Sequence, residues 1–410
     1  MTSWKHHAVR SLCVAALFGA APAAAATFTS VYQFQGGNDG AYPYAGVVPA
    51  NGQVYGVTFA GGTPAGCTIG CGTIFAINPA SGAETIAYRF AGGSDGSFPL
   101  GTLIDIGGLL YGTTRAGGGS KHCKGGCGTV FSFDPSTGTE TILHVFQDFA
   151  DGAEPSSGLV QQGSLLYGTT FTGGGGKCTT RCGTVFSIDP ATGAFTTVHG
   201  LSGGPKDGKL PAGPLTINGS DLYSTTIGGG TGGNVNCFHG CGTVYKIDPA
   251  TGAEKIVYSF QSGSDGIYPE AGLTSAGGLL YGTAQSGANT KCFGGCGTLF
   301  SVDPKTGTQT VLHAFQNEAD GSEPTAGVLV SGGKIYGVTA LGGRYNGGVA
   351  FAVDIASNTL TPLHTFTGGS DGDQPQAALV DVGGVLFGTA NYGGTGCDQD
   401  GCGTVFSITP

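Results

Sequence analysis

The chain has 410 residues, with 16 Lys and Arg against 26 Asp and Glu and a formal net charge of −10. A surface of that sign repels phosphate backbones, which excludes a nucleic-acid binder. Its 82 glycines and 19 prolines would indicate disorder if they fell without a period, and here they recur with one.

The first 26 residues read as an address. Lys5 and Arg10 precede the apolar run SLCVAALFGA, and the small residues Ala24 and Ala26 stand before Thr27. A ten-residue apolar run is too short to span a bilayer, so a secretory signal cleaved near Ala26 is expected, with a secreted or periplasmic product. Cys13 follows Arg10, Ser11 and Leu12, which is not a lipoprotein signal. Cleavage would remove Met1 and Trp4, the only Met and Trp, and leave 14 basic residues against 26 acidic ones. No later segment is long and apolar enough to predict a membrane span.

From Thr27 onward one word recurs. It is VYGVT at Tyr55, LYGTT at Tyr111 and Tyr167, LYSTT at Tyr223, LYGTA at Tyr281, IYGVT at Tyr336 and LFGTA at Phe387, 51 to 58 residues apart. That period belongs to repeats that each form one supersecondary unit. The third copy shows the expected strands: SGLVQQ (a), SLLYGTTF (b), CGTVFSID (c) and AFTTVHG (d). A Gly-containing turn joins a to b, the DPATG turn joins c to d, and an Asp-Gly turn leads from d to the next a. Four antiparallel strands repeated seven times predict an all-β, seven-bladed β-propeller. The units fall near 43–90, 99–146, 155–200, 211–260, 269–315, 324–366 and 375–410. The last copy ends at strand c, while TFTSVYQFQGGNDG from Thr27 matches strand d of the first unit, ETIAYRFAGGSDG. Residues 27–34 should therefore complete the seventh blade and close the ring. A monomer is expected.

Twelve cysteines remain after the signal, paired in the b-to-c loops: Cys67 with Cys71, Cys123 with Cys127, Cys178 with Cys182, Cys237 with Cys241, Cys292 with Cys296 and Cys397 with Cys402. In an exported chain, an even count at regular local spacing reads as disulfides. Metal binding is the competing reading, but two thiolates per loop fall short of the four ligands of structural zinc, so no metal or cofactor is expected. The sixth unit has the shorter loop LGGRYNGG with no cysteine and a tight-turn dipeptide, Asn346-Gly347.

D-G-x-x-P stands at each d-to-a junction, with Asp39, Asp95, Asp151, Asp207, Asp265, Asp320 and Asp371. Seven identical carboxylates invite a calcium or catalytic reading. Turn chemistry accounts for them instead: the Asp would accept hydrogen bonds from the following amides, the Gly would take positive φ, and the Pro would fix the start of the next strand. Tyr32, Tyr88, His144, His199, Tyr258, His313 and His364 share one d-strand position and read as a packing site, not as ligands.

Function is expected where the copies differ. The d-to-a and b-to-c connections of a propeller share one face. Arg115, Lys121, Lys124, Lys177, Arg181, Lys206 and Lys209, with His122 and His239, fall there in units 2 to 4. Glu270, Glu318, Glu323, Asp373, Asp398 and Asp400 fall in units 5 to 7. Solvated loop charges are the plain reading; a groove for an anionic polysaccharide is the sharper one.

LYGTT, GG and GTVFSIDPATG resemble the GloVer tandem repeat of choice-of-anchor secreted proteins, over nearly all of Thr27 to Pro410. The resemblance implies an exported repeat protein with no assigned activity. The chain ends inside a strand without a sorting tail, so release is expected. VFSIDPATG is also similar to quinoprotein propellers, whose blades dock through tryptophan, and the mature chain has none. The absence of a nucleophile-and-base motif, of H-E-x-x-H and of a phosphate loop favours a non-enzymatic module binding a polysaccharide or a cell-surface protein. Tyr42, Tyr268, Tyr345 and Tyr392 would supply sugar-stacking rings. The alternatives are a polysaccharide lyase or hydrolase, with His122 or His239 as base beside Lys or Arg, and a structural matrix protein.

Overall fold

A computed structural model describes residues 25–62, 66–174, 182–232, 237, 240–397 and 400–410. Residues 1–24 of the proposed signal, with Lys177, Cys178, Arg181, His239 and Asp398, lie outside the described residues. The β-rich runs form seven small antiparallel sheets, each ordered a-b-c-d. The first blade is Val48–Ala50, Gln53–Thr58, Thr73–Ile77 and Glu84–Arg89. The seventh takes a, b and c from Val380–Val382, Val385–Ala390 and Thr404–Thr409, and its outer strand is Thr27–Gln33. Thr27 pairs with Thr409 and Gln33 with Thr404, so the predicted closure holds.

The repeated words are blade-docking chemistry. Without tryptophan, the blades interlock through phenylalanine: Phe90, just past strand d, meets Phe131 of the next blade's strand c edge-on at 5.3 Å. Phe34 with Phe75, Phe146 with Phe186 and Phe366 with Phe406 repeat this at 5.1, 5.3 and 5.0 Å. These rings are fully buried. The glycine of LYGT clears space for them, since a Cβ on Gly112 would stand 2.7 Å from the tip of Phe131. In four blades the final Thr of this word shares a buried hydrogen bond with the Thr of CGT, as Thr114 does with Thr129 at 2.8 Å.

C-G-T and D-G-x-x-P form one lock between blades. Gly128 has φ +99, and a Cβ there would lie 2.7 Å from Cδ of Pro155 in the following blade. Gly348 of the cysteine-free sixth unit faces Pro375 in the same way at 2.8 Å. The proline packs where only glycine leaves room.

Every strand d carries a bulge one residue before its Tyr or His. A bulge re-aims the next side chain. Here that side chain reaches the repeated aspartate, as Tyr88 does in donating to Asp95 at 2.6 Å and Tyr258 to Asp265 at 2.9 Å. His144, His313 and His364 stand 3.2, 2.9 and 2.9 Å from Asp151, Asp320 and Asp371. The expectation for the seven aspartates is corrected here. Asp39, Asp95, Asp151, Asp265, Asp320 and Asp371 accept from the amide four residues upstream, and Asp207 from Ser202, rather than chiefly from the amides that follow. The Tyr and His positions are therefore hydrogen-bond partners as well as packing sites.

Candidate functional site on the loop face

The two sets of connections do share one face. Ala41 of a d-to-a turn pairs with Ala60 of a b-to-c loop, and Ser322 pairs with Leu341. The residue before each proline is the pivot. Tyr42, Phe98, Glu154, Leu210, Tyr268, Glu323 and Gln374 all have φ between 54 and 59. Non-glycine residues rarely adopt that conformation, and it is held only where the surroundings over-determine it. Each amide donates into the preceding blade: Tyr42 to Cys402 O at 2.8 Å, Glu154 to Cys127 O at 2.9 Å and Gln374 to Gly347 O at 3.0 Å. Each disulfide loop thereby supplies a latch to the next blade, and the side chains at the pivot vary from blade to blade.

Disulfides join Cys67–Cys71, Cys123–Cys127, Cys237–Cys241, Cys292–Cys296 and Cys397–Cys402. Cys182 is also disulfide-bonded. Among the described residues no group of three or more His, Cys, Asp or Glu could hold a metal ion, and no helix is long and apolar enough to cross a membrane.

The predicted basic cluster is divided by the structure. Arg115 forms an ion pair with Glu154 at 2.9 Å. Lys209 is half-buried in a short ribbon with Gly228, and desolvation lowers its pKa. Lys121, His122, Lys124 and Lys206 are exposed, and the three lysines have no ion-pair partner among the described residues. His122 lies edge-on to Phe149, with ring centroids 5.3 Å apart. Phe149, at 63% exposed and φ 52, matches no repeated word, standing where several other units carry glycine before the Asp-Gly turn, so the sequence pattern does not single it out. On the acidic side, Glu318 pairs with Lys291 at 2.8 Å.

A second, aromatic group gathers about Tyr44, which lines the cavity at the ring axis. Tyr42, Tyr44 and Tyr392 cluster, with the hydroxyls of Tyr44 and Tyr392 3.0 Å apart. Phe59 stacks on Phe98 at 4.8 Å. Tyr42 and Tyr392 were expected as stacking rings; Tyr345 is exposed on a separate loop under Arg344. Tyr268 is the pivot residue of the fifth unit.

The axial symmetry, the strand order and the loop face define a seven-bladed β-propeller whose variable chemistry lies on one rim. The chain belongs to the Gloeobacter/Verrucomicrobia repeat family, which matches residues 15–238, 126–295 and 236–410. No curated protein matches the sequence. Among solved structures it is similar to a chain of the mitotic checkpoint complex, at 13% identity and TM-score 0.55, covering 98% of both chains. It is also similar to a chain described as the extracellular domain of a one-component system from B. thetaiotaomicron, at 10% identity and TM-score 0.57, covering 92% of this chain and 39% of that one. A third, described as a 6-phosphogluconolactonase from Bacteroides uniformis, has 14% identity, TM-score 0.51 and coverage of 83% and 90%. Likeness at these identities concerns the fold alone. The repeat family and the disulfides fit an extracellular repeat protein.

Proposed function

We propose that this protein is a secreted, non-enzymatic binding module that takes an anionic polysaccharide on its loop face, centred on the second blade. One observation carries the reading: the exposed ring of Phe149 lies against His122, and the flanking Lys121 and Lys124 have no ion-pair partner. An apolar ring face suits the C–H face of a sugar, and unpaired ammonium groups suit its carboxylates or sulfates. Lys206, exposed on the turn before the fourth blade, adds positive charge to the same face.

The test is calorimetric titration with polygalacturonate at low and moderate salt. Lys121→Gln with Lys124→Gln should weaken binding about ten-fold at low salt and flatten its salt dependence. Phe149→Ala should weaken binding and leave the salt dependence unchanged. Affinity unaltered in both variants, or no binding at either salt, overturns the reading. A growing absorbance from unsaturated uronate would instead make the protein a lyase, with His122 as the base to test first.

A further inference from the structure

The residues just after the repeated prolines converge on the ring axis, where the innermost turns enclose a cavity of about 250 Å³ lined by all seven blades. Small residues flank that position because the turns crowd one another: a Cβ on Gly101 would collide with the Ser157 backbone, and one on Gly46 would lie 3.1 Å from Ala378 O. The position itself is free to vary. It holds Tyr44 in the first blade, Leu100 in the second, Glu270 in the fifth, Thr325 in the sixth and Gln376 in the seventh.

Glu270 stands out among them. It is half-buried in the cavity wall, and its carboxyl has no hydrogen-bond or ion-pair partner among the described residues. The carboxyl of Glu323, the pivot residue of the neighbouring blade, also has no hydrogen-bond or ion-pair partner among the described residues, and after burial its charge further disfavours ionised Glu270. A partly buried acid beside another acid is costly unless something compensates it. Among the described residues no Lys, Arg or His lines this cavity. In a seven-membered ring, the arc opposite the fifth blade is the first and second, and there the mouth presents Tyr44 in the wall with Tyr42, Phe59 and Phe98 around it. Thr325 adds a buried hydroxyl oxygen with no partner.

We propose that the mouth of the central channel is a second ligand site that takes an amine-bearing sugar, its ammonium group held by the Glu270 carboxyl in the cavity wall. Carboxylates and aromatic faces both attract cations, so the two arcs favour the same ligand charge. The cavity has room for about one pyranose ring, which makes the ligand a chain end or a free hexosamine rather than the interior of a polymer. Burial and the Glu323 charge hold Glu270 protonated up to about pH 7. An ammonium docking there favours the ionised carboxyl, so binding near neutrality releases the Glu270 proton to the buffer. The lysines of the second blade are not involved, and the site does not depend on that reading.

The experiment is titration calorimetry of the intact protein with glucosamine, N-acetylglucosamine and glucose near pH 7, in two buffers of different ionisation enthalpy. Glucosamine should bind with net proton release, while the two neutral sugars should bind about ten-fold more weakly or not at all. Glu270→Gln should abolish the proton release and weaken glucosamine about ten-fold, with its melting temperature showing that the ring remains folded. Polygalacturonate binding in the same variant should not change, which separates this site from the lysine strip. Equal binding of N-acetylglucosamine, no binding of glucosamine, or an unaffected Glu270→Gln variant overturns the proposal.

Discussion

At the residue scale, the acids between neighbouring outer strands dominate the behaviour. Glu84 and Glu254 start their strands d and Glu140 is the second residue of its own. Glu84, Glu140 and Glu254 feel the charges of Asp39, Asp95 and Asp207 of the preceding blades, each with one buried oxygen lacking a hydrogen-bond partner. Burial first, and then the aspartate charge, raise them to about 7, 8 and 7. A carboxyl raised in the folded state binds more protons folded than unfolded, so its stabilising contribution is present below the unfolded pKa and is lost as pH rises through the folded one. His199, raised mainly by the Asp207 carboxylate 3.8 Å away, acts with the same sign. Asp207 and Asp320, lowered against their own burial by hydrogen bonds from their partners, act with the opposite sign, and their contribution is lost as pH falls below the ordinary carboxylate range. The melting temperature should therefore peak in acidic solution near the ordinary carboxylate range and fall from about pH 5 to about pH 8. Glu140→Gln should flatten that descending limb; a melting temperature independent of pH over that interval would contradict this account. In the third and seventh blades an aromatic ring replaces the acid: Phe195 stacks on His144 at 3.8 Å and Phe28 on His364 at 3.6 Å. The sequence displayed the aspartates and the Tyr or His positions separately. Their pairing was not legible, because the bulge that joins them breaks the two-residue alternation by which a strand is read.

At the scale of the element, the disulfide loop has two tasks. It holds the second cysteine's carbonyl where the next blade's pivot amide can reach it, and it restricts the unfolded chain. The sixth blade separates them: Gln374 donates to Gly347 at 3.0 Å with no disulfide present, and Asn346, at φ 60, shapes the short turn. The latch is thus independent of the staple. Replacing Cys292 and Cys296 by Ser should cost about 2 kcal/mol by the loop-entropy estimate and leave the far-ultraviolet circular dichroism unchanged. Loss of strand signal in that variant would show that the bridge defines the blade. Cysteine spacing made the disulfides legible in the sequence; the inter-blade latch was not, since its donor and acceptor lie on backbone groups that sequence does not distinguish.

For the whole molecule, the decisive contact is the seventh blade, in which Thr27–Gln33 covers the edge of Thr404–Thr409. A chain begun at Phe34 would expose that edge, and the His364 ring would lose Phe28. Unpaired strand edges recruit other chains, so this truncation should elute as oligomers or precipitate. A monomer melting with the full-length protein would show that closure is dispensable. The sequence by itself determined the number of blades, the strand order, the closure and the disulfides, because each follows from period, alternation or local spacing. The folded ring alone shows that Arg115 is held by Glu154, that Phe149 lies against His122, and that Glu270 lines one cavity with Tyr44. Those groups come from different loops, and a ring brings such positions together at its rim and axis while leaving no fixed interval between them along the chain.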